Sequence, residues 1–365
     1  MYPKENHPAF SPNTPEKSNL LNFWSLKALY FPSKILFLWK TQPMLKAGVL
    51  GAGHLGKIHL KLLNKSDKFN LIGFFDADDR TASEVEAEFG YKRFPTKEEL
   101  IAAVDMVVVA TPTSTHFDCA KKVIEAGRHL FIEKPIAQSV EEAEEIRELV
   151  RKHKVRGQVG QVERFNPAFM AVQDTIKNPM FIESHRLAEF NPRGTDVSVV
   201  LDLMIHDIDI ILSVVKSKVK SVSSSGVSVL SESPDIANAR IEFENGCVAN
   251  LTASRISLKS MRKVRFFQRD AYISVDMLEK KCEVVRMKDV VGAADDFAMI
   301  FENAQGDKKQ IYFENPNVEE NNAIQDELES FAKAIKSDRT PDVPLAQGTE
   351  ALRVAIMVIE NFKEL

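Results

Sequence analysis

The sequence predicts two successive units: an α/β unit with a doubly wound parallel sheet, and an α+β unit with an open, mostly antiparallel sheet. Short apolar strands alternate with amphipathic helices over residues 45–162, which is typical of parallel α/β folds. From about residue 216, apolar residues recur at every second position, the period of a strand with one buried face. Asn245-Gly246 separates two of these later strands and predicts a hairpin, so we expect antiparallel pairing in this half.

The composition is that of an ordinary globular protein. The 365 residues are 44% hydrophobic and 27% charged, and the length suggests two domains. A formal net charge of −4 argues against a general attraction to nucleic acid or to an anionic membrane. Cys119, Cys247 and Cys282 are widely spaced and form no CxxC pair, so we expect reduced thiols, no metal site and a cytoplasmic location.

Residues 1–43 differ from the rest of the chain. Residues 1–19 are polar and rich in proline, which predicts poor order. The apolar stretch that follows contains two lysines and Pro32, so its uncharged runs are too short for an integral membrane span. We expect a non-essential extension with a working start at Met44; the alternative is an amphipathic helix on a membrane surface.

A glycine-rich turn follows the first strand and opens a helix. Gly51, Gly53 and Gly56 form a GxGxxG pattern, and Asp76 closes the next strand 20 residues after the last glycine. The first glycine permits a tight turn, the second lets the backbone approach a pyrophosphate, and the third lets the helix pack closely on the strand. Because a helix N-terminus favours phosphate, this context predicts a Rossmann-type dinucleotide site.

The acid at the end of the second strand predicts which dinucleotide binds. Asp76 would accept hydrogen bonds from the adenosine ribose hydroxyls, and its charge would repel a 2′-phosphate. This favours NAD over NADP, although the nearby Arg80 keeps the preference open.

The alternation of strands and helices continues to about residue 162. We expect helices over 81–90, 117–127 and 139–153, and strands over 70–76, 105–111, 129–135 and 156–162.

Two loops after these strands are candidates for the cofactor site, because open α/β sheets bind ligands at the carboxyl ends of their strands. Thr111, Pro112 and Thr113 would line the ribose and nicotinamide side, although the same residues also fit a plain turn. Lys134 follows a buried strand directly, where its charge would stabilise a developing alkoxide.

An apolar helix predicted over 202–215 carries an unusual polar stripe. Asp202, His206 and Asp209 fall within about 60° of one another on a helical wheel. The stripe is either an ordinary solvated face or a titratable cluster in a pocket; in the second case His206 would accept a proton, and an acid one turn away would orient it. We expect Asp207, which lies off the stripe, to be solvated.

The second half of the chain reads as strands followed by two amphipathic helices. The predicted strands cover 220–230, 237–244, 247–254, 263–277, 282–289 and 308–315, and the predicted helices cover 321–335 and 348–362. A second turn is predicted at Gln268 to Ala271.

The motifs together resemble the glucose–fructose oxidoreductase / inositol dehydrogenase (Gfo/Idh/MocA) family. The resemblance rests on the glycine pattern, the acid after the second strand, the loop ATP-x-x-x-H ending at His116, the EKP turn, and the D-x-x-x-H spacing of Asp202 and His206. It covers about residues 44–365. It implies an NAD(P)-dependent oxidoreductase acting on sugars, cyclitols or sugar nucleotides, with a C-terminal open sheet that forms the substrate site and commonly the oligomer interface.

The resemblance also implies roles for individual residues. Lys134 corresponds to the lysine that assists catalysis and contacts cofactor and substrate, His206 to the general acid/base, and Asp202 to a substrate ligand. The segment VERFNP is similar to that of a subgroup that oxidises nucleotide sugars, in which Arg164 and Asn166 would face the substrate. The expected cofactor contacts are Gly51, Gly53, His54, Leu55, Gly56, Asp76, Arg80, Thr111, Pro112, Thr113, His116, Glu133 and Lys134.

These inferences lead to one expected function and two alternatives. We expect an extension over 1–43, an NAD-binding Rossmann domain over 44–163, and a substrate domain over 164–365 whose last helices pack back on the first domain. We expect a homo-oligomer, dimer or tetramer, formed through the C-terminal sheet. The expected reaction is NAD-dependent oxidation of a secondary hydroxyl of a sugar nucleotide, with C3 of UDP-N-acetylglucosamine as the leading substrate. The alternatives are an inositol or simple-sugar dehydrogenase and a non-catalytic dinucleotide-binding regulator.

Overall fold

The computed structural model describes residues 43–191, 197–290, 299–302 and 304–363. The predictions for the N-terminal extension therefore lie outside the described residues, apart from Pro43. None of the described helices is long and apolar enough to cross a membrane.

The first sheet has five parallel strands in the order β2-β1-β3-β4-β5, which confirms the predicted doubly wound α/β fold. Its strands are β1 (Leu45–Leu50), β2 (Phe69–Phe75), β3 (Met106–Val109), β4 (His129–Glu133) and β5 (Gly157–Gly160). Its helices are α1 (His54–Lys65), α2 (Asp79–Phe89), α3 (Lys97–Ala103), α4 (His116–Glu125) and α5 (Val140–His153). All four residues of β3 and all four of β5 are buried, as expected for strands covered by helices on both faces.

Helix α3 was not predicted from the sequence. It spans seven residues, too few for a clear apolar period. Its start nevertheless carries a capping signature: the Thr96 side chain accepts a hydrogen bond from the Glu99 backbone N–H, and the two side chains also bond to each other. The T-x-x-E spacing was the available signal.

The second sheet is open and mostly antiparallel, as predicted. Its ten strands run in the order β13-β14-β12-β11-β10-β6-β9-β8-β7-β15, and only the pairs β6–β9 and β7–β15 are parallel among the described residues. The strands are β6 (Phe181–Leu187), β7 (Val219–Val227), β8 (Ile236–Phe243), β9 (Val248–Ser254), β10 (Met261–Gln268), β11 (Ala271–Asp276), β12 (Lys281–Asp289), β13 (Met299–Glu302), β14 (Lys308–Glu314) and β15 (Phe362–Lys363).

Both predicted hairpins are present. Gly246 adopts φ +85° in the turn between β8 and β9, a conformation that glycine reaches without the penalty a side chain would bring. The turn between β10 and β11 consists of Arg269 and Asp270, so that Gln268 pairs with Ala271.

Helices α7 (Ile205–Val214) and α9 (Leu345–Glu360) cover one face of this sheet. Ile208 and Ile211 of α7 and Val354 of α9 are buried in one core with strand residues such as Leu251 and Phe266. Polar and charged residues along β8 and β9 alternate with these buried positions, so one sheet face forms the core. The two remaining helices are α6 (Pro167–Met170), which has four residues, and α8 (Ala323–Lys336), which has 14.

The C-terminal helices also pack against the parallel sheet. Phe331 of α8 is fully buried, with its ring centroid 6.1 Å from that of Phe131 on β4. A Cβ on Gly348 of α9 would lie 2.4 Å from the Val159 side chain, so only glycine allows this approach to β5. The open edge of β5 is paired as well, because the Val159 N–H donates to the Val343 carbonyl at 3.1 Å. Helix α9 therefore contacts the cores of both sheets.

Candidate active site

The loops that carry the predicted motifs meet at one edge of the parallel sheet. The strand order 2-1-3 places the change in winding direction between β1 and β3. The glycine loop follows β1, the loop with Thr111 follows β3, and the Lys134 turn follows the neighbouring β4. In open α/β sheets this position forms the ligand crevice.

Two of the three glycines of the loop are required by the packing of the protein, and the third leaves open space. Gly51 has φ +89°, and a Cβ there would lie 2.6 Å from the Ala110 carbonyl oxygen on the neighbouring loop. A Cβ on Gly56 would lie 2.0 Å from the Gly51 carbonyl oxygen, so glycine is needed for the helix to pack at this distance. Gly53 has ordinary φ and no atom within 4 Å of a Cβ position. The space beside Gly53 is therefore open to a ligand that approaches the backbone closely.

The N-terminus of α1 fits the pyrophosphate of a dinucleotide. Gly53 is its N-cap residue and provides no side-chain cap, and the first turn contains no acid. The first backbone N–H groups of a helix have no partner within it, and the helix dipole adds partial positive charge. His54 and Leu55 of this first turn are exposed. The chain therefore offers N–H donors, positive potential and open space at one point.

Asp76 is held in place at the end of β2. Its Oδ2 accepts a hydrogen bond from the Ala52 N–H at 2.6 Å, and its Oδ1 accepts one from the Asp78 N–H at 2.8 Å. This fixes the carboxylate beside the glycine loop, where ribose hydroxyls would donate to its remaining lone pairs. Arg80 is exposed and pairs with Glu84, one turn along α2, at 3.0 Å.

His116 connects two of the site's loops. Its Nδ1 lies 2.9 Å from the Pro135 carbonyl oxygen and its Nε2 lies 2.9 Å from the Thr111 carbonyl oxygen. Burial lowers the pKa of this imidazole, although both carbonyls oppose the shift. Since both ring nitrogens face backbone carbonyls, His116 ties the Thr111 loop to the Lys134 turn. Its expected contact with the cofactor stays a prediction.

Glu133 is engaged by His59 and by the backbone of its neighbour Lys134. Its Oε1 lies 2.7 Å from Nε2 of the buried His59, a residue on α1. Its Oε2 accepts a hydrogen bond from the Lys134 backbone N–H at 3.3 Å. The carboxylate thus links helix α1, which carries the glycine loop, to the end of β4.

Lys134 reaches from the parallel sheet to the helix that carries His206. Its Nζ donates to the Asp202 carbonyl oxygen at 2.7 Å and lies 3.5 Å from Asp202 Oδ1. The lysine side chain is only 16% exposed, whereas that of Asp202 is 46% exposed. Burial lowers the pKa of Lys134, and the carboxylates of Asp202 and Glu133 oppose the shift.

The helix that carries these residues does not have a uniform winding. A π-helical turn over Val200–Met204 precedes the α-helical part of α7, so the winding changes just before His206. Single π-helical turns are rare and occur frequently at functional sites. A wheel drawn at 3.6 residues per turn therefore gives the wrong angle between Asp202 and the residues that follow.

The His206 side chain is partly buried and makes no hydrogen bond with any residue that the structure describes. Its Nδ1 is fully buried and without a partner. The pKa of the imidazole lies well below its ordinary value, first because of burial and then because Lys134, Arg186 and Arg262 are positively charged. His206 is therefore a neutral imidazole at pH 7 and can accept a proton.

The other acids of the helix are each paired with an arginine. Asp209 is 1% exposed and accepts hydrogen bonds from Arg164 at 2.5 and 3.0 Å, so its carboxylate is engaged by a cation and does not bond to His206. Asp207 is 2% exposed and is paired with Arg186; the expectation that it is solvated is wrong. The sheet beneath the helix supplies a cation to Asp207, which the sequence of the helix alone does not reveal.

The two residues of the VERFNP segment with an expected substrate role are bound within the chain. Arg164 also donates to the Gln347 side-chain oxygen at 3.0 Å. Asn166 is buried; its amide donates to Glu163 and to the Met277 carbonyl, both at 3.0 Å, and its oxygen accepts from the Ala168 N–H. Their substrate contacts stay predictions. In this conformation the Arg164 guanidinium and the Asn166 amide are both hydrogen-bonded within the chain.

Sequence reasoning missed three charged residues near His206: Glu163, Arg186 and Arg262. Arg186 Nη1 donates to Glu163 at 2.8 Å, and Arg262 Nη1 lies 3.6 Å from the same carboxylate oxygen. A signal was available in β6, because Arg186 shares the inward phase of the alternating strand with the buried Ile182 and Ser184. A cation at a core position implies a buried carboxylate partner.

Comparison with known protein families identifies both halves of the chain. Residues 45–161 match the Gfo/Idh/MocA oxidoreductase family with an NAD-binding Rossmann fold. Residues 145–273 match the Gfo/Idh/MocA C-terminal domain.

Individual relatives agree with these matches. UDP-N-acetylglucosamine 3-dehydrogenase of Acidithiobacillus ferrooxidans is 36% identical over 241 residues, which are 66% of this chain and 76% of that enzyme. The solved structure of that enzyme superposes with a TM-score of 0.78 at 31% identity, covering 88% of this chain and 98% of the other. The scyllo-inositol 2-dehydrogenase (NAD(+)) of Bacillus subtilis is 29% identical, over 58% of this chain and 68% of that enzyme.

The glycine loop yields a test that separates ligand binding from folding. We expect Gly53→Ala to fold normally, since its Cβ would meet no protein atom, but to weaken NADH binding by about tenfold or more, or roughly 1.4 kcal/mol. The physical reason is that the added methyl group takes the space left for the pyrophosphate. Calorimetric titration with NADH and thermal unfolding measure the two effects.

Gly56→Ala serves as the contrasting variant. Its Cβ would lie 2.0 Å from a backbone oxygen, so it should lower the free energy of unfolding by about 1–3 kcal/mol or more even without cofactor. Unchanged NADH affinity in a well-folded Gly53→Ala variant would contradict the assignment of this loop.

Proposed function

The chain belongs to the Gfo/Idh/MocA family of oxidoreductases, and from this premise we propose that it uses NAD to oxidise a secondary hydroxyl group of a sugar nucleotide. We propose C3 of UDP-N-acetylglucosamine as the leading position. One observation carries the proposal: Lys134, at the end of β4 beside the glycine loop, holds the helix with a neutral His206 through a 2.7 Å hydrogen bond. The glycine loop, the Lys134 cation and the His206 base thus lie on connected elements.

The choice of substrate is supported by similarity and not by the pocket alone. The relative with 36% identity is a UDP-N-acetylglucosamine 3-dehydrogenase. The superposition with its solved structure covers 98% of that chain and 88% of this one. The VERFNP segment, which resembles that of nucleotide-sugar oxidising proteins, contributes Glu163 to the charged cluster beside His206. The half-exposed Arg262 of that cluster is a cation suited to a negatively charged substrate group.

The residues of the site divide the work of removing a proton and balancing charge. When bound, the nicotinamide accepts the hydride from the carbon that bears the hydroxyl group. His206 takes the hydroxyl proton at Nε2, because Nδ1 is buried. The Lys134 ammonium donates to the same oxygen and stabilises its developing negative charge. Loss of a hydride from carbon and a proton from oxygen leaves a ketone.

Asp202 has two functions in this scheme. Its carbonyl oxygen fixes Lys134 Nζ, and its side chain is half-exposed, so it is available to a substrate hydroxyl group. Asp76, fixed by the Ala52 N–H, favours NAD, since a 2′-phosphate would meet its negative charge.

An inositol or simple-sugar dehydrogenase is the second candidate. It is favoured by the similarity to scyllo-inositol 2-dehydrogenase and would use the same lysine and histidine. A non-catalytic regulator is the third, and the presence of both Lys134 and His206 on facing elements argues against it.

The function is tested by following NADH absorbance with a substrate panel. We expect NAD reduction with UDP-N-acetylglucosamine, little with N-acetylglucosamine or inositols, and slower reduction of NADP than of NAD. Turnover of inositols alone would favour the second candidate. No reduction with any member of a broad panel, despite NADH binding, would favour the regulator.

His206 and Lys134 are tested by removing each side chain. We expect His206→Ala to lower kcat by about 10²- to 10⁴-fold, the usual range for general acid–base groups, with NADH affinity nearly unchanged. Lys134→Ala should lower kcat similarly and also raise KM for the sugar nucleotide. His153→Ala, at the end of α5, is the control. A main defect in cofactor binding would show that the role given to His206 is wrong.

The pH dependence follows from the lowered pKa of His206. Oxidation needs the neutral imidazole, which is lost only when the pH falls through this lowered pKa. We therefore expect the acid limb of kcat/KM to lie below about pH 6.5, the ordinary value for histidine. In the reverse direction, which needs the protonated ring, the rate should rise as the pH falls. An acid limb centred above pH 6.5 in the oxidation direction would contradict the assignment.

A further inference from the structure

A buried ionic network lies between the C-terminal sheet and helix α7. Arg186 of β6 is at its centre: Nε lies 3.1 and 3.2 Å from the two Asp207 carboxylate oxygens, Nη2 lies 2.8 Å from Asp207 Oδ1, and Nη1 lies 2.8 Å from Glu163 Oε1. The side chains of Arg186, Asp207 and Glu163 are 4%, 3% and 7% exposed. Such burial is tolerated only because each charge has a partner.

The network controls how α7 is rotated about its axis. Asp207 directly follows His206, and successive residues of an α-helix are about 100° apart. A guanidinium that grips both carboxylate oxygens permits little rotation of that side chain. Fixing Asp207 towards the sheet therefore fixes the direction in which His206 leaves the helix.

His206 depends on this indirect support. Its ring has no hydrogen-bond partner among the residues described, so no second side chain orients it. Two further cations hold the same region: Lys134 donates to the Asp202 carbonyl, four residues earlier and inside the π-helical turn, and Arg164 donates to Asp209, three residues later. The helix is thus gripped by three cations, with His206 between the points that they hold.

We propose that Arg186 is a positioning residue for the reaction: it sets the rotation of α7 that presents His206 to the substrate and maintains a fixed positive charge beside that ring. The proposal rests on the assignment of His206 as proton acceptor under the proposed function. Arg186 acts through Asp207 and by its charge, and it is not a substrate contact.

The positive charges that face His206 come from three elements. Lys134 approaches from the end of β4, Arg186 from β6 and Arg262 from β10, and all three lower the pKa of the ring. The nearby carboxylates are each engaged by a cation: Asp202 by Lys134, Asp207 by Arg186, and Glu163 by Arg186 with Arg262 at 3.6 Å.

Two substitutions of Arg186 separate its charge from its geometry. Arg186→Gln removes both the charge and the grip on Asp207. We therefore expect kcat to fall by about tenfold to a hundredfold, as for a small misplacement of a catalytic group. The KM for NAD and the KM for the sugar nucleotide should change little. The acid limb of kcat/KM should move up towards about pH 6.5. Arg186→Lys keeps the charge but loses the two-oxygen grip, so kcat should fall while the acid limb stays in place.

If Arg186→Gln does not fold, Asp207→Asn provides the test. It preserves the size of the side chain and leaves Arg186 present without one negative partner. We expect a lower kcat and an acid limb displaced to still lower pH, because the neighbouring positive charge is less compensated. The control is Arg265→Gln, on the opposite face of the same sheet, where Arg265 lies 3.8 Å from Glu183 of β6. It should change neither quantity.

A measurement without substrate distinguishes this proposal from the proposed function. The pKa of His206 can be followed by proton NMR of its ring, assigned by the loss of the signal in His206→Ala. A higher His206 pKa in Arg186→Gln, or a lower one in Asp207→Asn, supports the proposal even if no sugar nucleotide is turned over. The proposal is overturned if folded variants show lower thermal stability but unchanged kcat, acid limb and His206 titration.

Discussion

The pairing of buried cations with the helix that carries His206 is the constraint on which the rest of the site depends. The helix is almost entirely apolar on its packing surface, yet it carries acids that the fold buries. A buried carboxylate is tolerated only with a partner, so Asp207 must meet Arg186 and Asp209 must meet Arg164. These pairings leave His206 without a side-chain partner on the helix, so its orientation depends on the backbone that Arg186 and Arg164 hold in place.

The same helix joins the two halves of the protein at the point where chemistry is proposed. Lys134 belongs to the parallel sheet and bonds to the Asp202 backbone, so a change in the position of either sheet would alter the distance between the ammonium and the imidazole. Helix α9 strengthens this relation, because its residues lie in the cores of both sheets and Gly348 allows close contact with β5. The cofactor half and the base are therefore held in one packed unit.

The positive charges around His206 affect both the imidazole base and the substrate oxygen. They lower the pKa of the ring, which keeps the base neutral, and they also supply a favourable environment for an alkoxide. Arg164, which was expected to face the substrate, is bound to Asp209 and Gln347, whereas Arg262 is half-exposed beside Glu163. Arg262, at the edge of the cluster, is therefore better placed to bind a charged substrate than Arg164, which lies inside the helical layer.

The fold class, the glycine loop with Asp76, the strand-end position of Lys134 and the hairpin at Gly246 could all be predicted from the amino-acid sequence. These depend on periodicity and short-range spacing, which are local properties of the chain. Even there a short helix was overlooked, although Thr96 and Glu99 marked its start. Only the tertiary structure decided the partners of Asp207, Asp209 and Arg164, because each pair joins segments distant in sequence. It also decided the winding of the helix that carries His206: a π-helical turn before His206 changes the angle between Asp202 and the residues that follow, and packing on β6 selects which acids are turned inward.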